Sequence, residues 1–539
     1  MILQSFHSHT GPANIADPAV VGGGTHFGLS CGTRNRRRSG SFKARALAQN
    51  FFTQRWACKG RRQPRKSLSC LLLGVVFLSP VLSGCILTAE KSDPALDLPA
   101  SYRYGRGNPH AALPPLAWWR GFRSRELTDL MQEAQVANLN IAAAVARVIQ
   151  ADGLARVAGA ALLPAINFDA SATRSRVSGG PDRSVLRVAL NASYEVDFWG
   201  KNRATLRAAE EGAVASRYDR DVVALTVLAS VANQYFTVLA AQDRLRIARE
   251  NLRAAIRVLD AIRQRREVGT ASELDVAQQE SVVATQRAVL PTLEQLVLQN
   301  KTTLAVLVGR TPEQMTVRGG SLDRLALPRV TPGLPAEILT RRPDIREAEA
   351  QLAAADANVY AARAAFLPTI QLTGEGGFAS NALKTLFRPE SAFYSVAAGL
   401  TQPVFDGFRL KGLLNVQQGR QEELLQLYRQ SVIFAFSDVE NALIAIQQNA
   451  ERERRQREVV ESSRRAFDLS ETRLREGTID IVTLLNTQQT LFQAQDVLAQ
   501  VRLARFQAVV SLFQALGGGW QRPGEVPVVP IVVEPSGSP

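Results

Sequence analysis

Cysteine and histidine, the side chains that most often perform catalysis or bind metals, are concentrated at the beginning of this 539-residue chain. Three of the four histidines and all four cysteines lie in the first 85 residues: His7, His9, His26, Cys31, Cys58, Cys70 and Cys85. The rest of the chain contains one histidine, His110. This distribution argues against a disulfide framework, thiolate metal sites, zinc proteases and Ser-His or Cys-His catalysis. We therefore expect no metal and no cofactor.

Carboxylate-only enzymes such as glycosidases are not excluded by this census, because they need only two acidic side chains. Such an enzyme also needs a concave carbohydrate site rich in aromatic residues. The chain after Cys85 contains only four tryptophans, Trp118, Trp119, Trp199 and Trp520. We predict that the protein is not an enzyme.

Cys85 follows a segment typical of an export signal. An apolar run from Leu68 to Leu82 ends in Leu82-Ser83-Gly84-Cys85, and five basic residues precede it: Lys59, Arg61, Arg62, Arg65 and Lys66. The run, about fifteen residues, is shorter than the ~20 of a membrane-spanning helix. It resembles a bacterial lipoprotein signal peptide, which implies cleavage before Cys85 and acylation of that cysteine as a lipid anchor. A free cysteine after an ordinary cleavage site is the alternative.

The basic character of the chain belongs to the same segment. The residues before Cys85 contain twelve basic residues against the single acid Asp17, which is +11 of the total net charge of +15. The remainder is nearly balanced, with 52 basic and 48 acidic residues. The high isoelectric point is therefore no evidence for nucleic-acid binding, and we expect no nucleic-acid partner.

One unusual junction occurs twice in the chain. Ala161–Ile166 reads Ala-Leu-Leu-Pro-Ala-Ile, and Ala365–Ile370 reads Ala-Phe-Leu-Pro-Thr-Ile. An alanine-rich helical pattern precedes each proline, and an alternating pattern follows, because proline cannot continue a helix and favours extended geometry in its predecessor. The repetition indicates a tandem duplication.

Each junction is followed by two segments in which apolar and polar residues alternate, which is the period of a strand. Two of the predicted strands begin at Ile166 and Ile370. Their partner strands run from Leu186 to Phe198 and from Ala392 to Phe405, the last with more mixed faces. Soluble strands usually number about five or six residues. These are about ten to fourteen residues long, enough for the ~9–11 residues of a tilted membrane-spanning strand.

The apolar strand faces have no separate amphipathic segment to cover them. A soluble antiparallel sheet packed on a core is the alternative, but in lipid such faces need no cover. Four strands are too few to close into a wide barrel, and an open sheet edge is not tolerated in hydrocarbon. We therefore predict that three chains pool their strands into a 12-stranded β-barrel.

Two long antiparallel helical hairpins follow the strand pairs. Their predicted helices and turns are about Asn202 to Arg266, Gly269-Thr270 and Leu274 to Val308 in the first copy, and about Phe408 to Arg475, Gly477-Thr478 and Leu484 to Leu516 in the second. A helix from Asn202 to Arg266 is about 97 Å long at 1.5 Å per residue. Leu245, Leu252 and Leu259 recur every seven residues, as in a coiled coil. With two hairpins from each of three chains, we predict a 12-helix α-barrel that continues the β-barrel.

Several short motifs of the chain resemble the TolC superfamily of outer membrane efflux factors, in its lipid-anchored OprM/NodT branch. They are Trp118-Trp119, Leu127, Asn138-Leu139, the two Leu-Pro junctions, Phe198-Trp199-Gly200, Phe405-Asp406-Gly407, Arg341-Arg342-Pro343-Asp344-Ile345 and Ala515-Leu516-Gly517-Gly518-Gly519-Trp520. The resemblance extends from about Trp118 to Trp520. It implies a homotrimeric exit duct in the outer membrane, reaching into the periplasm, that docks with a periplasmic adaptor (membrane fusion) protein and an inner-membrane pump, in the proton-driven class.

The resemblance also implies a gate at the periplasmic tip, where the two glycine turns lie. The candidate gate residues are Asp275 and Asp480, with Arg473 and Arg475 as latch partners. Three copies of an aspartate around a narrow opening repel one another and favour cations. Helix capping is the alternative role, because Ser272 with Asp275 fits a capping box and Asp480 fits an N-cap.

The predicted organisation has six parts. They are an N-terminal extension and signal peptide (1–84), a lipid-anchored segment (85–117), a first repeat (118–308), an equatorial linker (309–342), a second repeat (343–516) and a C-terminal tail (517–539). The predicted function is passive export of small molecules such as drugs or toxic compounds. Two alternatives stay open: a type I secretion duct for polypeptides, and a periplasmic coiled-coil lipoprotein without a pore.

Overall fold

The computed structural model describes Leu96, Pro99, residues 101–105 and residues 114–521. The predicted signal peptide, the predicted lipid anchor Cys85, His110 and the end of the tail lie outside the described residues. The helices longer than one turn are α1 (Arg125–Ala137), α2 (Leu139–Ala160), α3 (Lys201–Glu267), α4 (Glu273–Val308), α5 (Pro343–Ala364), α6 (Arg409–Arg475) and α7 (Ile481–Ala515). The strands are β1 (Ala165–Ser175), β2 (Arg183–Val196), β3 (Thr369–Ser380) and β4 (Ala392–Thr401). The chain is therefore mainly helical with one small sheet.

Two predicted strand ends were wrong, both at a strand-to-helix junction. β2 ends at Val196 rather than Phe198 because the next residue, Asp197, accepts hydrogen bonds from the backbone N–H groups of Asn202 and Arg203, each at 2.9 Å. The Asp197 carboxylate thus caps the start of α3.

The second junction repeats this arrangement. β4 ends at Thr401 rather than Phe405, shortly before Pro403, which has no N–H to donate to a strand ladder. The Asp406 carboxylate then accepts from the N–H of Leu410 at 2.9 Å. Phe408, predicted as the first helical residue, precedes α6 with φ 66°.

The four strands form one antiparallel sheet in the order β1-β2-β3-β4. The two predicted hairpins are therefore joined by β2 and β3, which pair from Leu186 with Ser380 to Val196 with Ile370. Because β2 belongs to the first copy and β3 to the second, this pairing fuses the two repeats into one surface.

The two repeats also share a hydrophobic core near the middle of the long helices. Trp118, before α1, stacks on Phe513 of α7 with ring centroids 5.0 Å apart. Phe122 contacts Phe236 of α3 and Phe506 of α7, at 4.9 and 5.9 Å. These aromatic side chains are buried, so the start of the first repeat is packed against the end of the second.

The segment 309–342 contains only short helical turns and packs across this core. Asp243 of α3 accepts hydrogen bonds from Ser321 Oγ and from the N–H of Leu322, both at 3.0 Å. Asp323 pairs with Arg502 of α7 at 2.5 Å. These contacts bind the segment to a helix of each hairpin.

By length and composition, one helix in the described part of the chain, Lys201–Glu267, is apolar enough to cross a membrane. Half of its most apolar stretch is buried inside the protein. Val231, Phe236 and Leu239 from this stretch belong to the shared core. The stretch therefore contributes one side to the shared core.

Candidate functional site

The sheet has one apolar face whose side chains are largely exposed. The register places Phe168, Leu190, Gly376 and Tyr394 in one row across the four strands, and Ile166, Ala192, Gly374 and Val396 in the next. Phe168 is 66% exposed, Leu190 57%, Tyr394 86% and Val396 83%. An apolar surface of this extent on a soluble monomer marks contact with a membrane or another protein.

The opposite face of the sheet is polar and cross-linked between strands. Arg187 of β2 forms an ion pair with Glu375 of β3, and its guanidinium lies 4.9 Å from the ring centroid of Phe393. Asn191 donates to Asp169, and Gln371 donates to Ser193 Oγ at 2.7 Å. Polar residues on one face and apolar residues on the other are the pattern of a barrel strand that faces water inside and lipid outside.

The far ends of the hairpins are two equivalent glycine turns. Gly269 has φ 76° and Gly477 has φ 74°, a region that residues with a Cβ rarely adopt. In both turns a threonine N–H returns to an arginine carbonyl, Thr270 to Arg265 at 2.8 Å and Thr478 to Arg473 at 2.9 Å. The two turns therefore share the same backbone hydrogen bond, as the predicted duplication requires.

The two candidate gate carboxylates cap the helices that follow these turns. Asp275 and Ser272 form a reciprocal capping box, with bonds of 3.1 and 2.7 Å, and Asp480 accepts from the N–H of Thr483 at 2.9 Å. The hydrogen bonds from the Thr483 hydroxyl and N–H lower the pKa of Asp480. The sequence placed both capping roles correctly.

Asp275 and Asp480 line one pocket of about 340 Å³ between the two turns. Its walls also include Ile262, Leu274 and Leu474. The structure therefore brings carboxylates from both hairpins to one place, although they are far apart in sequence.

The two candidate latch arginines are not paired with these aspartates within the described chain. Arg475 binds Glu471, one turn earlier on α6. Arg473 offers its backbone carbonyl to Thr478, and its guanidinium has no hydrogen bond or ion pair among the described residues.

Sequence reasoning missed Arg265, which joins the two hairpins. Its guanidinium donates to the backbone carbonyl of Leu474, on α6, and to that of Thr270 at 3.4 Å. Arg265 precedes Gly269 by the same four residues that separate Arg473 from Gly477. That equivalence was the signal available in the sequence.

No group of three or more His, Cys, Asp or Glu side chains suited to a metal ion occurs in the part of the chain that the structure describes. Asp275 and Asp480 at the turns are engaged in helix caps, and Asp169 and Glu375 of the sheet in cross-strand contacts.

A two-faced antiparallel sheet continued by two long helical hairpins is the architecture of outer membrane channel subunits. The profile of the Outer membrane efflux protein family matches residues 130–310 and 334–518. The chain belongs to this family.

Characterised relatives of this family are similar over most of their length. The Pyoverdine export outer membrane protein OpmQ of Pseudomonas aeruginosa is 42% identical over 465 residues, 84% of this chain and 96% of that protein. The Toluene efflux pump outer membrane protein TtgF of Pseudomonas putida is 32% identical, over 84% of this chain and 98% of that protein. These relatives are outer membrane efflux proteins, and none of the names describes an enzyme.

Solved structures share the fold. The outer-membrane channel OprN superposes with a TM-score of 0.75 at 26% identity, covering 81% of this chain and all of that chain. The MtrE outer membrane channel of Neisseria gonorrhoeae, in its open state, superposes with a TM-score of 0.72 at 28% identity, covering 80% and 97%. The fold is therefore that of TolC-like outer membrane channels.

Proposed function

We propose that three copies of this chain form a gated exit duct for small molecules through the outer membrane and across the periplasm. The three sheets close into a 12-stranded β-barrel, and the six helical hairpins form a 12-helix tube below it. The duct receives its cargo from an inner-membrane pump, in the proton-driven class, through a periplasmic adaptor protein. It supplies no energy and performs no chemistry.

The observation that carries this proposal is the state of the sheet in a single chain. Within the described residues β1 pairs only with β2, and β4 only with β3, so each has one row of unpaired backbone groups. The exposed apolar face suits hydrocarbon, where unpaired backbone groups are not tolerated. Pairing β1 of one copy with β4 of the next removes both edges and leaves the polar face around a lumen.

The junctions between strands and helices fit a continuous wall. Asp197 and Asp406 each accept hydrogen bonds from the first N–H groups of the following helix, so the chain passes from strand to helix within a few residues. Trp199 donates from its indole to the carbonyl of Pro368 at 2.7 Å, which ties the two junctions together. A barrel of strands can thus continue as a barrel of helices without a flexible linker.

In this proposal the gate is the ring of glycine turns at the ends of the hairpins that lie away from the sheet. In a trimer, the pocket that holds Asp275 and Asp480 occurs three times around the axis, so six carboxylates surround the opening. Arg473, unpaired in the described chain, and Arg475 are the candidate latch partners from the same turn. Repulsion between the carboxylates favours dilation, and contacts between hairpins oppose it.

The proposed lipid anchor and the proposed location in the outer membrane rest on the sequence. The proposed mature chain begins at acylated Cys85, is held by its lipid in the outer membrane, and extends into the periplasm. The six parts predicted from the sequence, with boundaries at 84, 117, 308, 342 and 516, stay the proposed organisation.

Small molecules are the favoured cargo because the relatives with assigned substrates carry names for pyoverdine and toluene export. A duct for secreted polypeptides uses the same fold and is the second candidate. A pore-free coiled-coil lipoprotein leaves the exposed apolar sheet face without a role.

Two neighbouring residues of β2 provide the test. Leu190 lies on the apolar face and Asn191 on the polar face. The Leu190→Arg variant should fail to assemble in lipid bilayers, because an arginine on the lipid side near the middle of a barrel costs about 2–4 kcal/mol per copy. Asn191→Arg, the matched control, should assemble and alter only ion selectivity.

The readouts are the mass of the detergent-solubilised particle and its conductance in planar bilayers. Wild-type protein and the Asn191→Arg variant should have the mass of three protomers and form pores. A stable monomer, or equal behaviour of the two arginine variants, would contradict the proposed duct.

A further inference from the structure

The connections at the outer ends of the strands fold toward the apolar face of the sheet. In the β3–β4 connection, residues 381–391, Phe387 packs edge-on against Phe378 with ring centroids 5.7 Å apart. Phe378 pairs with Val188 and belongs to the apolar face. Ser380 and Thr385 hold the connection in place through a 2.5 Å hydroxyl contact. This segment therefore lies at the upper border of the apolar face.

Large apolar side chains are exposed at this border, next to basic ones. Leu383 is 71% exposed and Phe387 67%. Lys384 and Arg388, their immediate neighbours, are also exposed and have no ion pair among the described residues. Exposed aromatic and aliphatic side chains beside lysine and arginine are typical of protein segments at a membrane–water interface.

The β1–β2 connection adds two arginines at the same height. Arg174 lies at the end of β1 in the same alternation as Phe168, Ala170 and Ala172, and so on the apolar side. Arg174 and Arg176 share one carboxylate, Asp182, at 2.8 and 2.5 Å, and their side chains are 75% and 67% exposed. One carboxylate neutralises one of the two guanidinium groups, and most of their N–H donors face solvent.

We call residues 174–183 and 381–391 the outer rim. The outer rim contains five basic residues, Arg174, Arg176, Arg183, Lys384 and Arg388, against the acids Asp182 and Glu390. At the other end of the sheet, Lys201, Arg203, Arg409 and Lys411 stand against Glu195, Asp197 and Asp406, a net charge of +1 compared with +3 at the rim. Two of these basic residues form local ion pairs: Lys201 with Glu195 at 2.5 Å and Arg203 with Asp197 at 3.0 Å. The uncompensated positive charge is therefore larger at the rim.

We propose that the outer rim binds the phosphate groups of lipids in the outer leaflet of the outer membrane. The inference rests on the proposed function, because that function orients the rim outward and the apolar face toward lipid. Phe387 and Leu383 enter the boundary between acyl chains and headgroups. Arg174, Arg176 and the two basic residues of the second connection contact the phosphates above them. Arginine and lysine near a phosphate form charge-assisted hydrogen bonds.

The test compares binding of two lipids to the purified full chain in detergent. The probes are bis-phosphorylated lipid A and the same lipid A after removal of both phosphates. The rim variants are Arg174→Gln with Arg176→Gln, and, separately, Lys384→Gln with Arg388→Gln. The matched control is Arg454→Gln with Arg455→Gln on α6, because these two arginines also share one carboxylate, Glu451, at 2.7 and 2.9 Å.

Wild-type protein should bind the phosphorylated lipid more tightly than the dephosphorylated one. Each rim variant should weaken binding of the phosphorylated lipid by about tenfold or more, since each variant removes two basic groups that contact the phosphates. The control variant should bind like wild type. The second rim variant, Lys384→Gln with Arg388→Gln, removes side chains that have no partners in the described structure. A loss of binding in this variant therefore does not depend on the ion pairs of Asp182.

Equal binding of the two lipids, or an equal loss in the rim and control variants, would overturn the rim proposal. Pore conductance of the wild-type protein, measured in bilayers of phosphatidylcholine alone, separates this failure from failure of the duct. If the protein forms pores but binds lipid equally with and without phosphates, the proposed duct stands and the proposed rim site is wrong. Absence of pores would contradict the duct, and the rim site with it.

Discussion

The side-chain amides of Gln279 and Gln488 meet between the two helical hairpins, with Gln279 Nε2 3.5 Å from Gln488 Oε1. Gln279 lies on α4 and Gln488 on α7, and both are completely buried. Gln279 also donates to the carbonyl of Ala255 at 2.9 Å. In the described part of the chain, Gln279 Oε1 and Gln488 Nε2 have no hydrogen-bond partner. Around them is an apolar cluster that includes Leu484 and Val276.

Such a partly satisfied pair weakens the contact between the hairpins, because buried polar atoms without partners cost about 1–3 kcal/mol each. Separation of the hairpins exposes both amides to water and removes this cost. If the tip opens as proposed, the pair should therefore favour the open state relative to an apolar contact of the same shape.

Replacing both glutamines with leucine should hold the hairpins together more tightly. We expect Gln279→Leu with Gln488→Leu to raise the free energy of unfolding by about 1–3 kcal/mol and to lower the open probability in planar bilayers about tenfold or more. Gln489→Leu, at an exposed neighbouring position, is the control and should change neither quantity. A double variant with lower stability and unchanged conductance would show that the pair does not oppose closure.

Two substitutions of Asp480 distinguish its role as a helix N-cap from the effect of its negative charge. Asp480→Ala removes both, whereas Asp480→Asn removes the charge and keeps an N-cap oxygen for Thr483. If Asp480 belongs to the gate, both variants should lose cation selectivity and close more completely in planar bilayers, because fewer carboxylates repel one another at the opening. Ser272→Ala, which removes only the cap of the other turn, should lower helix stability by about 1 kcal/mol without changing selectivity. Wild-type conductance and closure in Asp480→Asn would restrict Asp480 to capping.

Arg342 connects the start of the second repeat to its end. Its guanidinium binds Asp344 at 2.6 Å, Asp438 of α6 at 3.0 Å and the carbonyl of Ala515 at 3.2 Å, and its side chain is 11% exposed. Arg342→Met should therefore lower the free energy of unfolding by about 1–3 kcal/mol, because it removes the hydrogen bonds of one nearly buried guanidinium to two partly exposed carboxylates and a carbonyl. Arg341→Met removes a single ion pair, the one with Glu337, whose side chains are both partly exposed, and should cost less than about 1 kcal/mol. Denaturant unfolding in detergent measures both, and equal losses would contradict the special role of Arg342.

Glu347 on α5 should make stability depend on pH. Burial, followed by repulsion from Asp219 and Asp344, raises the pKa of Glu347 to about 7, and Arg147 opposes the shift. The folded chain therefore binds this proton more tightly than the unfolded chain, whose pKa is near the model-peptide value of 4.5. Its contribution to stability is complete below about pH 4.5 and is lost as the pH rises through 7.

The Glu347→Gln variant should remove this dependence, since the amide is neutral at every pH. We expect it to unfold at a higher temperature than wild type at pH 8 and at a similar temperature at pH 5. Thermal unfolding at a series of pH values measures the difference. Parallel pH curves for the two proteins would contradict the raised pKa.

Local patterns in the sequence determined the elements and their duplication. Proline after an alanine-rich helix, alternation in the strands and the glycine turns each depend on residues a few positions apart, so the strands, both hairpins and the caps at Asp275 and Asp480 were predictable. The errors at Phe198 and Phe405 have a local cause as well, because Asp197 and Asp406 cap the next helix instead of extending the strand.

The tertiary structure alone decided which distant segments meet. The pairing of β2 with β3, the bond from Arg265 to Leu474 and the buried pair Gln279–Gln488 all depend on how the two halves of the chain are placed in space. Periodicity assigns a residue to a face but does not identify the residue that packs on it. That choice is made by burial and hydrogen bonding between segments about 200 residues apart, which no local pattern contains.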